Sequence, residues 1–501
     1  MPGESWQSSS MADSLRLYYT DDPEYPRSKA TYREYLSDPS RYRKVVEIKD
    51  EAIVRKIHQT YRLLYLKDVI LARVLDDPTF SILNSFVFYN QVDIVSYCIS
   101  NEGFLTELFD IFSAEHKQPD SRKFEAVFFL QQLCAMGKQI QIPNRIALYR
   151  TLTEWGLLGV LEYALRQNDQ PLRNAAAEVL MTIIEYDANS VRLHILDQVT
   201  QETKPLMTAL ADLLHTEQDL GLKTQMAEAV RVLLETNSDG PSAALAAAAA
   251  AHGANGVGGN GRNSMSGSSD PDAFLTWLYD SEINHLFSPL WELPDFRFLR
   301  EGRQLDLVQR SRSALFGHLC DLLSFTVINH SFRSPYYLIS SGISKRVASL
   351  LSSREKYVRL SAMRFFKTCL NANNSFVNRH FSKIDLFGAV LDLLAAEADR
   401  DNLVSSSCLE FFDFIRRVSY PPLFFAHRRR NADQSSCFHQ ENMTVVIQFL
   451  METHAAQLQA LAEHPIVGKT LTGLALQYHK NTEVPPAEIN NTAQEAEEAR
   501  R

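Results

Sequence analysis

An all-α fold, an armadillo/HEAT-like solenoid with a disordered Ala/Gly-rich insertion, is what this sequence predicts, and three observations predict it. From Arg43 to Lys480 nearly every segment shows the apolar spacing of a short amphipathic helix, and strand alternation is almost absent. Two distant segments share one core signature: Leu172, Arg173, Ala176, Val179, Leu180 and Ile183, then Val358, Arg359, Ala362, Phe365, Phe366 and Cys369. The i, i+3, i+4, i+7 spacing puts the apolar members on one face, and the alanine lets a neighbouring helix approach. Third, proline and glycine punctuate the chain at short, regular intervals: Pro78, Gly103, Pro119, Gly137, Pro143, Gly156 and Pro171 mark helix corners. Short helices with one apolar face cannot bury it alone, so they stack in pairs or triplets into a curved array.

The elements follow in order. Residues 1–40 form a lead-in, with Ser37-Asp38-Pro39 as a helix start. A first solenoid half spans 41–236 and opens with a helix carrying Ile53, Ile57, Tyr61, Leu64 and Tyr65 on one face. Residues 237–271 are a low-complexity insertion, nearly pure alanine from Ala243 to Ala251 and then Gly, Asn and Ser; polyalanine has no apolar face to pack, so this is a flexible connection. A second half covers 272–417, an atypical loop 418–440, C-terminal helices 441–480 and an acidic tail 481–501.

Composition narrows the function. The chain has 501 residues, 45% of them hydrophobic, enough for a substantial core, and its net charge of −9 disfavours nucleic acid as a direct partner. Cys98, Cys134, Cys320, Cys369, Cys408 and Cys437 lack CxxC spacing and read as small buried hydrophobes of a reducing compartment. The polar, Ser-rich start lacks a signal-peptide core and no long apolar run exists, so an intracellular soluble protein without a membrane partner is expected.

Candidate chemistry dissolves on inspection. Gly256-x-Gly258-x-x-Gly261 matches the dinucleotide fingerprint, but polyalanine precedes it where a strand is required. The fourteen histidines show no ligand spacing, Cys437-x-His439 lacks a second pair, and each histidine reads as core or surface. Asp76-Asp77 and Glu497-Glu498 are solvated acids of loops or tails. No nucleophile elbow or P-loop exists, so no catalytic, metal or cofactor-binding residue is assigned. A basic cluster of Arg41, Arg43, Lys44, Lys49, Arg55 and Lys56 is either a patch for an acidic partner or a solvated helix face.

Several blocks in one order resemble the central domain of the protein phosphatase 4 regulatory subunit 3 (SMEK) family. They are Tyr35 to Arg41, Ile57 to Arg62, Leu83 to Val95, Leu133-Cys134, Pro143-x-Arg145, Glu185-Tyr186-Asp187, Ala362-x-Arg364-Phe365, Phe376-x-Asn378-Arg379 and Glu410 to Arg416. The similarity runs from Tyr25 to Tyr478 outside the insertion. It implies a non-catalytic scaffold subunit that holds a phosphatase 4-type catalytic subunit, a second regulatory subunit and phosphoprotein substrates, in nucleus and cytoplasm. A generic armadillo-type adaptor is the alternative. Members usually begin with a PH-like, peptide-binding domain; it has no counterpart before Asp22, so that capture mode is not assigned here.

Within the resemblance, Val418 to Gln440 has no counterpart. Its Val-Ser start, Ala432-Asp433 and terminal Gln440 are compatible with donor, branch-point and acceptor codons, and 23 residues preserve the frame. The segment reads as retained intron, with a lineage-specific loop as the alternative. From the family-like blocks, Tyr61, Arg62, Asn90, Asn144, Arg145, Asn378 and Arg379 are the candidate partner-binding residues, expected on the innermost helices. The competing expectation is structural: Tyr61 in the core, the Asn and Arg side chains capping neighbouring turns.

Overall fold

The computed structural model describes residues 36, 38, 44–71, 75–113, 118–236, 271–299, 305, 310–419 and 434–482. The insertion, the acidic tail beyond 482, most of the lead-in and the fingerprint at Gly256 lie outside them. The described residues are helical and contain no strand; Leu305 and Ser353 make one isolated bridge. The described residues fall into two compact units, the first ending at His194 and the second beginning at Ile195.

In the first unit α1 (Glu51–Tyr65) continues into a π-turn (Leu66–Ile70), followed by α2 (Asp77–Ser100), α3 (Glu102–Asp110), α4 (Asp120–Gly137), α5 (Ile142–Glu154), α6 (Leu157–Leu165) and the start of α7 (Gln170–Thr200). The punctuating residues sit at helix ends. Pro78 and Pro143 occupy the first turns of α2 and α5, and Pro119 is the N-cap of α4. Gly156 joins α5 to α6 at φ +101°, a conformation that disfavours any side chain. Gly137 is needed for closeness: a Cβ there would stand 2.6 Å from Leu148 Cδ2. Asp50 and Asn101 cap α1 and α3 by accepting from Ala52 N and Phe104 N. At Asp187 extended backbone (φ −149°) breaks α7 and closes its repeat. Of the stripe expected on α1 only Ile53 is buried, and Tyr61 is exposed.

The second unit adds α8 (Leu206–Thr216), α9 (Leu220–Leu234), α10 (Pro271–Trp277), a π-turn (Leu278–Glu282), α11 (Ile283–Leu286), α12 (Ser288–Trp291), α13 (Arg310–Asn329), α14 (Arg333–Ser341), α15 (Ile343–Ser349), α16 (Lys356–Asn371), α17 (Ser375–Ile384), α18 (Leu386–Glu397), α19 (Leu403–Val418), α20 (Gln434–Thr453), α21 (Ala455–Ala462) and α22 (Gly468–Thr482). The stretch 418–440 is thus partly helical: Val418 ends α19, residues 434–440 begin α20, and 420–433 lie outside the described residues. Helices stack in three rows. The first row is α14, α17 and α20; the second holds α8 on α11 and α12, α15, α18 and α21 in series; the third is α9, α13, α16, α19 and α22. Each element therefore packs on its counterpart in the next repeat, the hallmark of an α-solenoid.

Ala176 and Ala362 are both fully buried, each on the longest helix of its repeat, and the apolar members of both signatures are buried with them. Arg359, its side chain largely buried at the start of α16, donates from Nη1 to Glu397 Oε1 at 2.7 Å, and Glu397 also accepts from the Asn402 amide at 2.6 Å. One carboxylate thus ties a third-row helix to the cap of the next.

Similar ties recur. Lys223, 1% exposed, donates from Nζ to Leu214 O at the carboxyl end of α8 (2.8 Å). His215 bonds Leu286 O and His285 bonds Asp212, each at 2.9 Å; Arg346 donates to Leu293 O at 2.6 Å. His330 reaches Leu234 O through Nε2 (2.9 Å) and Tyr279 OH through Nδ1 (3.0 Å). Helix carboxyl ends carry unbonded carbonyls, and a donor side chain from the adjoining helix satisfies them; the cationic Arg346 and Lys223 also meet the partial negative charge there.

Candidate partner-binding surface

The seven predicted residues separate by environment. Arg145 is a structural cap. Its Nε donates to Gly137 O (3.1 Å), Nη2 to Lys138 O (2.6 Å) and Ile140 O (3.0 Å), and Nη1 to Tyr186 OH (2.6 Å), with the guanidinium also over the Tyr186 ring. Four bonds leave this side chain little donor capacity for a partner. Asn90 and Asn378 are buried, not surface groups; Asn90 Nδ2 and both polar atoms of Asn378 have no bonding partner. Tyr61, Arg62, Asn144 and Arg379 are exposed and remain accessible. Tyr61, Arg62, Asn90, Asn144 and Arg145 belong to the first unit, Asn378 and Arg379 to the second.

Of the basic cluster, Lys56 pairs with Asp93, and Lys49 stands 3.8 Å from Glu107, which suits a solvated face. Arg41 and Arg43 lie outside the described residues.

The third row of the second unit presents an accessible face crossed by polar, aromatic and ionic contacts between helices, which the sequence did not reveal. On α13, His318, Asp321, Phe325 and Ile328 follow one another at helical spacing on the accessible side. Rungs cross from helix to helix. Thr224 on α9 meets His318 Nε2 at 3.5 Å, and the Arg231 guanidinium lies 5.6 Å from the Phe325 ring. Arg364 on α16 pairs with Asp321 at 3.2 Å, and Lys367 pairs with Glu410 on α19. These pairs are more than a third exposed on at least one side, so each adds little to stability.

Among the described residues no three His, Cys, Asp or Glu side chains converge as a metal site, and no helix is long and apolar enough to cross a membrane. Cys98, Cys134, Cys320, Cys369 and Cys408 are buried and unbridged, and burial pushes the thiols of Cys98, Cys134 and Cys408 up to about 12, far from thiolate reactivity.

Helices stacked row upon row make the second unit an α-solenoid of the helical-repeat class. The chain belongs to the phosphatase 4 regulatory subunit 3 family, whose sequence profile matches residues 19–480. It is 36% identical over 406 residues to an uncharacterized protein of Schizosaccharomyces pombe, covering 79% of this chain and 46% of that one. It is 28% identical over 402 residues to the serine/threonine-protein phosphatase 4 regulatory subunit 3 of Drosophila melanogaster, covering 79% and 37%. Suppressor of Mek1 from Dictyostelium discoideum is 26% identical over 407 residues, covering 79% and 36%. The matched region spans less than half the length of each relative.

Proposed function

We propose that this chain is a non-catalytic scaffold that joins a phosphatase 4-type catalytic subunit, a second regulatory subunit and phosphoprotein substrates, in nucleus and cytoplasm. The family match over residues 19–480 carries the reading, and the relative named as a phosphatase 4 regulatory subunit supports it. The physical contribution is effective concentration: a tethered substrate meets the catalytic centre more often without any change in the reaction. Exposed Arg62, Arg379, Tyr61 and Asn144 and the third-row ladder are the proposed contact points. Affinity purification of the intact chain from cells tests this. Co-purifying phosphatase subunits that leave on charge reversal at Arg62 and Arg379, with unfolding unchanged, support it. Absence of any phosphatase subunit favours the generic adaptor.

A further inference from the structure

Charge is distributed very unevenly along this acidic chain. Residues 331–384 contain ten Lys and Arg but one acid, Glu355. Several of these cations are committed: Arg333 to Asp272, Arg346 to Leu293 O, Arg359 to Glu397, Arg364 to Asp321 and Lys367 to Glu410. Among the described residues no carboxylate is within ion-pair distance of Lys345, Arg379 or Lys383. Lys345 also feels the field of Asp295, whose carboxylate is itself bound to Arg297. The charges of Lys345 and Lys383 both bear on His380, so α15 and α17 place them around one point of the surface.

Large apolar side chains stand exposed on the same elements. Ser331-Phe332 immediately precede α14 and Ser375-Phe376 begin α17, consecutive first-row helices that pack together. Phe332 is 91% exposed, Phe376 66% and Tyr336 75%. Neither phenylalanine ring is covered by the repeat it belongs to, so both are left at the surface beside a helix start. Beside them, Asn378 is 3% exposed with an unbonded amide, an orphan of the kind retained where a structure serves binding.

We propose that the α14–α17 edge docks an extended acidic segment of a partner protein that carries a large apolar side chain. Arg379, Lys383 and Lys345 meet its carboxylates; Phe332, Tyr336 and Phe376 receive its apolar group. The −9 chain repels acidic partners in general, so a local cationic patch gives this edge its selectivity. The three cations Lys345, Arg379 and Lys383 are too few to track a nucleic-acid backbone, and the rings are set near helix starts rather than along a basic groove.

The inference rests on the reading of the chain as a partner-holding subunit. Its test contains no phosphatase, so its failure leaves association with a catalytic subunit, scored by co-purification, standing. The probe is a fluorescein-labelled peptide built from Glu-Asp-Phe-Glu repeats, titrated with the full chain by anisotropy. Controls are the same peptide with Ser for Phe, the same peptide with Lys for the acids, and an oligo(dT) of equal length. The acidic aromatic peptide is expected to bind most tightly. R379E/K383E should weaken it at least about tenfold, and F332A/F376A should weaken it severalfold, both with wild-type urea unfolding. Equal binding by either double variant, equal binding of the Ser peptide, or tighter binding of oligo(dT) overturns the proposal. Should R379E/K383E unfold, R379Q/K383Q is read by the same criterion.

Discussion

Replacing Arg145 by alanine separates a capping role from a binding role more cleanly than any other single change. The guanidinium closes the end of α4 through Gly137 O, Lys138 O and Ile140 O, and ties it to Tyr186 near the end of the same repeat. The bond to Lys138 O is solvent-exposed, so water replaces it at little cost. The other three are partly buried, and at about 1 kcal/mol each their loss costs roughly 3 kcal/mol. Loss of the contact over the Tyr186 ring adds a fraction of that. With a urea dependence of about 2–3 kcal/mol per molar, the unfolding midpoint of this region should fall by about 1 M. Arg145→Lys should recover only part of the loss, because one ammonium cannot span the carbonyls that a planar fork reaches. Urea unfolding followed by circular dichroism reads both variants, with hydrogen exchange at Gly137 to Tyr149 localising the effect. An Arg145→Ala chain with a wild-type midpoint that has lost a partner would refute the capping argument and return Arg145 to the binding surface.

Four other outcomes are expected. Burial lowers the pKa of His330 and of His215 below 6.5, so the unfolded chain binds more protons; their stability is present above that pH and is lost as pH falls through it, by up to about 1.4 kcal/mol per pH unit for each histidine. His330→Gln should flatten that slope in urea titrations between pH 7.5 and 5.5; an unchanged slope would exclude His330. Removing Glu397 from its pair by Glu397→Ala should cost about 3–5 kcal/mol, since both partners are largely buried and Arg359 is left uncompensated; thermal unfolding checks this. Deleting residues 240–268 should change stability by less than about 1 kcal/mol, because loop length enters only logarithmically, and a large loss would mean that the polyalanine packs. The purified chain alone should not hydrolyse phosphoester with added Mn2+ or Mg2+; turnover above background would overturn the scaffold reading.

Much of the fold was legible because its determinants are local. The spacing around Ala176 and Ala362 identified two helices with buried alanines and apolar faces, and proline and glycine located the corners, since these residues act through their own backbone. The ties between repeats were not legible. His215 and Leu286, His330 and Leu234, or His454 and Asp385 are far apart in sequence, and a lone histidine carries no sign of the carbonyl or carboxylate it will meet. Among the candidate site residues, Asn90 and Asn378 were misjudged as surface groups because polarity suggested exposure, whereas both face inward. Arg145 was open to either reading until the carbonyls around it were visible. The cationic character of residues 331–384 could have been counted from the sequence, but which of those charges are already committed depends on helices elsewhere in the chain.

The basic ties to helix ends have a consequence for how the second unit comes apart under load. A repeat held to its neighbour only by apolar contact can slide and re-pack in many registers. One whose carbonyls are gripped by Lys223, His215, His330 or Arg346 has a single seat. Pulled from its ends, such a stack should resist creep and then release in discrete steps, each step parting a helix end from its grip. Re-seating demands that the same donor find the same carbonyl, which makes the array a ratchet against gradual extension rather than a spring.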